Sequence, residues 1–185
     1  RCAGAARNES GWSVVSEPAL IATAQTKVRL LGGASAFLML LVDQAHKLWM
    51  LNVYDITSRQ PVRVLPFFDL VMAWNKGVSY SLFEADSDLE LYLLLGVTAL
   101  ATLFLIIWLW RAQTQCSGLG LGLIIGGAIG NGIDRALYGA VADFFHFHIG
   151  SFSWYVFNLA DVGIVAGVGL LLYESFTTPA EGPQS

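Results

Sequence analysis

Four apolar segments constrain this chain more than any other feature of its sequence. Each approaches the roughly 20 residues that an α-helix needs to cross a hydrocarbon core about 30 Å thick. They run from Leu30 to about Leu51, from about Leu89 to Trp110, from about Leu119 to Ile133 and from about Val156 to Tyr173. Only 13% of the residues are charged, whereas soluble domains carry roughly one-quarter. The sequence therefore predicts an all-α membrane protein built as a bundle of four transmembrane helices.

The apolar segments also divide the chain. Residues 27–176 are predicted to form a single domain, between a mobile N-terminal tail at 1–26 and a C-terminal tail at 177–185. The segment 52–88, between the first two helices, is too long for a simple turn and is rich in apolar and β-branched residues. We expect it to form a small cap that carries β-strands. The segment 138–155, between the last two helices, is rich in aromatic residues, which suit the boundary between water and lipid.

The basic residues beside the helices predict the orientation of the bundle. Lys27 and Arg29 precede the first helix, and Arg111 follows the second. Because Lys and Arg in short flanks favour the cytoplasm, both termini are expected there. A formal charge of −4 without a Lys/Arg cluster argues against binding of nucleic acid. Two cysteines, Cys2 and Cys116, are too few for a disulfide framework.

Polar residues occur at matching depths on three of the predicted helices. An ionisable group inside a membrane is costly, so each one calls for a physical reason. The predicted orientation brings the end of helix one, the end of helix three and the start of helix four to the outer side, where one polar site is expected to form. The residues concerned are Asp43 and Lys47 on helix one, Asn131, Asp134 and Arg135 on helix three, and Asn158 and Asp161 on helix four.

Some of these residues have a plainer interpretation. Asp43 and Lys47 are four residues apart and share a helix face, and Asp134 is adjacent to Arg135. Each couple can be a charge pair that neutralises itself and holds helices together. For both couples, the structural and the functional interpretation remain open from the sequence alone.

Asp143 and Asp161 have no basic neighbour in sequence and are the better candidates for chemistry. Two adjacent carboxyl groups share a proton, because like charges at hydrogen-bond range cannot both ionise cheaply. The ionised group can take a proton from water while the other donates to a peptide carbonyl. Such a pair needs no metal, and neither HExxH nor GxSxG occurs. His146 and His148 lack a third ligand at a recognisable spacing, so neither a metal nor another cofactor is expected.

Four stretches of sequence point to a known family. They are VDQAHKLW at 42–49, WNKGVSYSLF at 74–83, GGAIGNGIDRALYGAVADFFHF at 126–147 and FNLADVGIVAG at 157–167. Together they resemble the prokaryotic lipoprotein signal peptidases, the type II signal peptidases, which are aspartyl peptidases of the inner membrane. The resemblance implies that Asp143, in VADF, and Asp161, in FNLAD, form the catalytic pair. It also implies roles in substrate binding or support for Asp43, Lys47, Asn75, Gly77, Asn131, Asp134, Arg135 and Asn158.

The resemblance extends to the activity and the location. It implies that the chain cleaves prolipoproteins just before a lipobox cysteine that bears a diacylglyceryl group. The segment between the first two helices would form a β-structured cradle on the periplasmic surface of the membrane, beside the active site. Apolar grooves between helices would take the acyl chains. We expect a monomer whose partners are the lipid-modified substrate and membrane lipids.

Three other functions fit parts of this sequence. A small transporter would use the Asp and Lys residues to line a path, but transport folds usually have more helices and two similar halves, and no internal repeat is found here. A structural or assembly subunit would use polar residues only to join helices, and would tolerate substitution of Asp143 and Asp161. Other intramembrane aspartyl peptidases carry a GxGD setting that this sequence lacks.

Overall fold

The computed structural model describes residues 17–78, 83–84 and 88–177. Within these ranges, four helices have the length and composition needed to cross a membrane, which confirms the predicted all-α bundle. The helices are α1 Glu17–Asn52, the short α2 Ile56–Arg59, α3 Asp88–Arg111, α4 Gln115–Tyr138 and α5 Leu159–Thr177.

Helix α4 lies at the centre of the bundle and packs against α1, α3 and α5. Its glycines allow this close approach. A Cβ atom at Gly130 would lie 2.5 Å from Asp43 Oδ2, and one at Gly122 would overlap Ser35 Oγ. In lipid, where the hydrophobic effect does not drive helices together, such small residues let backbones approach closely. They bring α1 and α4 near enough for their polar side chains to meet.

An antiparallel sheet covers one end of the bundle. The strands of the protein are β1 Val62–Leu65, β2 Phe68–Asn75, β3 Gly77–Val78, β4 Phe83–Glu84, β5 Val141–Ile149 and β6 Phe152–Ser153. The sheet has the strand order β1-β2-β5-β6, and the short strands β3 and β4 form a separate pair. Strands β1 to β4 confirm that the segment between the first two long helices carries strands.

Strands β5 and β6 come from the aromatic segment 138–155, which the sequence analysis did not assign to the sheet. The first four residues of β5 are all buried, so polar and apolar residues do not alternate there as they do in a strand with one wet face. Beneath the sheet, Ala142 and Phe144 of β5 pack with Met50 and Ile56 in a small apolar core. This core joins the sheet to the end of α1.

The helices are longer than the apolar runs that predicted them. Helix α1 begins at Glu17, so residues 17–26, expected as part of a mobile tail, are helical. Strong helix formers such as Ala22, Ala24 and Gln25 continue the helix beyond the apolar span. Hydropathy marks only the part of a helix that is apolar enough to cross the membrane, so it does not indicate this extension. Helix α4 continues to Tyr138 and ends at Gly139, whose positive φ of 72° suits glycine. Residues 1–16 and 178–185 lie outside the described ranges.

Candidate active site

Asp143 and Asp161 reach the same region from two different elements. Asp143 is buried in β5, opposite Ala73 of β2, and Asp161 lies half-buried in the first turn of α5. Asn75, the last residue of β2, lies beside them. Pairing of β2 with β5 therefore holds Asn75 and Asp143 over the ends of α4 and α5.

Three asparagine side chains hold the two carboxyl groups. Asn158 Nδ2 donates to Asp143 Oδ1 at 2.6 Å, and Asn75 Nδ2 donates to Asp143 Oδ2 at 3.2 Å. Asn131 Nδ2 donates to Asp161 Oδ1 at 2.9 Å, and the backbone N–H of Asn158 donates to Asp161 Oδ2 at 3.2 Å. Asn158 thus contacts both aspartates and fixes their relative position.

Lys47 forms a buried ionic cluster next to this pair. Its Nζ lies 2.9 Å from Asp43 Oδ2 and 2.8 Å from Asp134 Oδ2, and all three side chains are at most 3% exposed. The two carboxylates also accept backbone N–H groups: Ala160 donates to Asp43 at 3.0 Å and Ala142 donates to Asp134 at 3.2 Å. The cluster therefore ties α1 to α4, to α5 and to β5.

The ionic cluster also determines how Asn131 is oriented. Lys47 Nζ donates to Asn131 Oδ1 at 3.0 Å, and Asn158 Nδ2 donates to the same oxygen at 3.1 Å. Since both neighbours are donors, Oδ1 must face them and the amide nitrogen must face Asp161. Lys47 thereby influences Asp161 through one intervening side chain.

The structure shows which of the predicted charge pairs form. Asp43 and Lys47 are in contact, as their spacing indicated. Asp134 pairs with Lys47, whereas Arg135 Nη2 donates to the carbonyl oxygen of Gly77 at 3.0 Å. Consecutive residues on a helix do not face each other, so Asp134 and Arg135 do not form the charge pair that their adjacency in sequence suggested.

Arg135 instead supports the turn that carries Asn75. The backbone N–H of Gly77 donates to Asn75 Oδ1 at 3.1 Å, and Arg135 holds the Gly77 carbonyl from the other side. Nε of Arg135 is buried and has no hydrogen-bond partner among the described residues. All the predicted supporting residues therefore lie within one connected set.

Sequence reasoning missed Gln44. Its Nε2 lies 3.0 Å from Asp134 Oδ1 and 3.2 Å from both Asp43 Oδ2 and the Gly130 carbonyl oxygen. It thus supplies a second donor to the two carboxylates that Lys47 joins. Its position next to Asp43, within an apolar span, could have indicated that Gln44 belongs to the polar site.

A cavity of about 430 Å³ opens at the aspartates. Its lining includes the polar residues Asn75, Asn131, Arg135, Asp143 and Asp161, together with apolar residues such as Leu94 and Val97 of α3 and Ile164 of α5. Burial raises the pKa of Asp143 to about 7, and the nearby charge of Asp161 acts in the same direction. Hydrogen bonds from Asn158 and Asn75 oppose the rise. Asp143 is therefore suited to hold a proton near neutral pH.

The two histidines of β5 lie away from this cavity. His148 Nε2 is 3.0 Å from Asp69 Oδ2, and His146 Nε2 is 2.8 Å from Ser153 Oγ. Within the described ranges, no group of three or more His, Cys, Asp or Glu side chains could hold a metal ion. These contacts assign the two histidines to the sheet.

Comparison with known proteins identifies the family. The family model described as Signal peptidase (SPase) II matches residues 35–177. The chain belongs to this family. Among the relatives of this signal peptidase, the lipoprotein signal peptidase of Methylocella silvestris is 60% identical over 147 residues, covering 80% of this chain and 86% of the relative. The lipoprotein signal peptidase of Beijerinckia indica is 58% identical over 154 residues, covering 83% and 92%.

A solved structure shares the fold of this signal peptidase. A bacterial membrane enzyme determined by the in meso method at 2.3 Å resolution superposes with a TM-score of 0.69 at 22% identity. The match covers 83% of this chain and 94% of that structure. The chain is thus a bacterial membrane protease of the lipoprotein signal peptidase family, which acts on prolipoproteins. Family membership also decides against the transporter and assembly-subunit alternatives.

Proposed function

We propose that this signal peptidase is an aspartic endopeptidase in which Asp143 and Asp161 are the catalytic residues. It removes the signal peptide from a prolipoprotein by cleaving just before the diacylglyceryl-modified cysteine. The observation that carries the proposal is the meeting of two buried or half-buried carboxyl groups in one cavity, joined through Asn158. No nucleophilic side chain is needed for this chemistry.

The raised pKa of Asp143 supports a division of roles within the pair. In this division Asp143 is assigned as the protonated partner and Asp161 as the ionised one, since a pKa of about 7 leaves a large share of Asp143 protonated near neutral pH. Asp161 takes a proton from a water molecule, whose oxygen attacks the carbonyl carbon of the scissile peptide bond. Asp143 donates its proton to the carbonyl oxygen. When the tetrahedral intermediate collapses, the C–N bond breaks, the amine leaves with the proton held by Asp161, and the hydroxyl proton returns to Asp143.

The neighbouring residues position this pair. Asn131 and Asn158 orient the carboxyl groups by hydrogen bonds, and Asn75 holds the second oxygen of Asp143. Arg135 and Gly77 support the turn that presents Asn75. Asp43, Lys47 and Asp134 fix the helix ends from which these groups project. Substrate enters from the bilayer into a cavity with apolar walls.

The charge pattern supports a location for the site. Lys27 and Arg29 in the N-terminal part of α1, and Arg111 at the end of α3, lie toward the end of the bundle opposite the sheet. By the positive-inside preference, that end faces the cytoplasm and carries both termini. The aspartates then lie at the periplasmic side of the bacterial inner membrane. The proposal includes a monomeric active unit, because one chain supplies every group of the proposed site.

Cleavage of a diacylglyceryl-modified precursor, followed by gel shift, tests the proposal. Asp143→Asn and Asp161→Asn should each abolish processing while the protein still folds and inserts. Asp55→Asn is the matched control, because Asp55 is exposed and its positive φ of 52° is one that asparagine also adopts readily. Normal cleavage by either dyad variant would overturn the assignment of the catalytic pair.

A further inference from the structure

Three side chains stack on one another at the end of α1 that lies next to the sheet. The Trp49 ring, in the last turn of α1, lies 5.2 Å from the Tyr54 ring, and the two planes differ by only 23°. The guanidinium carbon of Arg59, at the end of α2, lies 5.0 Å from the centre of the same Tyr54 ring. This cation–π contact holds the Arg59 side chain in one place although it is exposed. The proposed reaction uses none of these three residues.

The stack lies where the polar layer of a bilayer is expected. Trp49 belongs to the last part of the membrane-spanning helix, and the exposed side chains of Leu48 and Val53 continue the lipid-facing surface beside it. Trp and Tyr rings favour the boundary between hydrocarbon and headgroups. The headgroup layer on each side is roughly 5–8 Å thick. Since Tyr54 and Arg59 follow the end of the span, two stacking steps of 5.2 and 5.0 Å bring the guanidinium to the level of the lipid phosphates.

The Arg59 guanidinium is available to an anionic ligand. Within the part of the chain that the structure describes, no carboxylate oxygen lies within 4 Å of it. Asp55, the carboxylate nearest to it along the chain, accepts a hydrogen bond from Ser58 Oγ at 2.7 Å. Arg63 on β1 differs, because its Nε lies 3.5 Å from Asp69 Oδ1. A guanidinium presents several N–H donors in one plane, which is the geometry that binds a phosphate with two hydrogen bonds.

Helix α2 connects this cation to the sheet. Ile56, at the start of α2, is fully buried and packs with Phe144 of β5 in the small apolar core. Gln60 follows Arg59 directly, and its Oε1 accepts a hydrogen bond from the backbone N–H of Met72 in β2 at 2.5 Å. A ligand bound by Arg59 therefore restrains α2, and with it the two central strands of the sheet.

We propose that Arg59, held in place by Tyr54 and Trp49, binds the phosphate of an anionic phospholipid in the leaflet next to the sheet. The lipid is a bound ligand and not the substrate, so this site does not depend on which residues are catalytic. The lipid-facing surface of α1 leads directly to the stack, which favours a headgroup within the bilayer over a free anion. The bound lipid holds α2, and through it the sheet, at a fixed height over the membrane.

The test measures the Kd of phosphatidylglycerol for the detergent-solubilised protein by native mass spectrometry. Arg59→Gln should raise this Kd about fivefold, the factor that one basic group contributes at an anionic lipid surface. Arg63→Gln is the matched control, because it removes the same charge from another exposed arginine, one that already pairs with Asp69. The control should leave the Kd unchanged. An unchanged Kd for Arg59→Gln would overturn the proposal, and so would an equal rise for both variants, which would indicate unspecific attraction of anionic lipid.

Two further measurements test the source of the phosphate and its effect on α2. Glycerophosphoglycerol, the same headgroup without acyl chains, should not displace phosphatidylglycerol at an equal concentration, and equal displacement would make this a site for a free anion instead. In phosphatidylcholine nanodiscs, added phosphatidylglycerol should slow amide hydrogen exchange at residues 56–60 of the wild-type protein but not of Arg59→Gln. Unchanged exchange in the wild-type protein would refute the restraint on α2.

Discussion

Replacing Asp143 by asparagine should remove activity and, at alkaline pH, stabilise the protein. Burial is the main cause of the raised pKa of Asp143, with the charge of Asp161 second. A rise from the ordinary value of 3.8 to about 7 corresponds to about 4 kcal/mol in favour of the protonated form. The folded protein resists ionisation of this group, whereas the unfolded chain does not.

The sign of the pH dependence follows from this difference. An acid whose pKa is raised by folding contributes stability below the unfolded pKa, and that contribution is lost as the pH rises through the folded pKa. Between pH 5 and pH 8, the free energy of unfolding of the wild-type protein should fall by roughly 2.5 kcal/mol through Asp143. The asparagine of Asp143→Asn cannot ionise, so the free energy of unfolding of this variant does not fall in this way. Above pH 7, the rate of cleavage by the wild-type protein should also fall as protonated Asp143 becomes scarce.

Reversible unfolding by SDS in mixed micelles, at pH 5 and pH 8, measures the effect. The new amide must turn its NH₂ group toward Asn158 or Asn75, which are both donors, at a cost of about 1 kcal/mol. That cost does not depend on pH and cancels from the comparison between the two pH values. Asp55→Asn should follow the wild-type curve. If the stability difference between Asp143→Asn and wild type is equal at both pH values, the reasoning about burial of Asp143 is refuted.

Three further substitutions test the buried network by the same unfolding measurement and by cleavage of the modified precursor. Lys47→Met leaves Asp43 and Asp134 without their shared cation and should lower the free energy of unfolding by about 3–5 kcal/mol. A decrease of less than about 1 kcal/mol would contradict this pairing. Asp134→Asn should lower stability or rate without abolishing cleavage, and complete inactivity with normal stability would make Asp134 a catalytic candidate. Gly130→Ala puts a Cβ atom 2.5 Å from Asp43 Oδ2 and should cost about 1–3 kcal/mol, whereas Gly169→Ala, with nothing described within 4 Å, should be nearly neutral.

Much of the fold is predictable from the sequence because the bilayer imposes a length on each helix. The spacing of Asn158, which immediately precedes α5, and Asp161, in the first turn of α5, also predicted a shared face. The partner of Asp134 could not be predicted in this way. It depends on how α4 is rotated against α1, and the short spacing between Asp134 and Arg135 carries no information about that rotation.

The sheet shows a second limit of prediction from the sequence. Strand β5 is buried over its first half and half-exposed over its second, so no single periodicity marks residues 141–149 as a strand. Its register with β2, which sets Asp143 opposite Ala73, comes from pairing between segments far apart in the chain. The orientation of the Asn131 amide depends similarly on Lys47 and Asn158, which are distant in sequence. Local patterns cannot report contacts of this kind.

The residues of the proposed active site are spread along the chain, with Asn75 on β2, Asp143 on β5 and Asp161 on the last membrane helix. A nascent polypeptide that has emerged from the ribosome only as far as α4 holds neither aspartate in place. Even after β5 has paired with β2, Asp143 lacks Asn158 and its acidic partner until α5 enters the bilayer. With Asp143 and Asp161 as the proposed catalytic pair, the peptidase is expected to stay inert during its own biogenesis and to become able to hydrolyse a peptide bond only when α5 inserts.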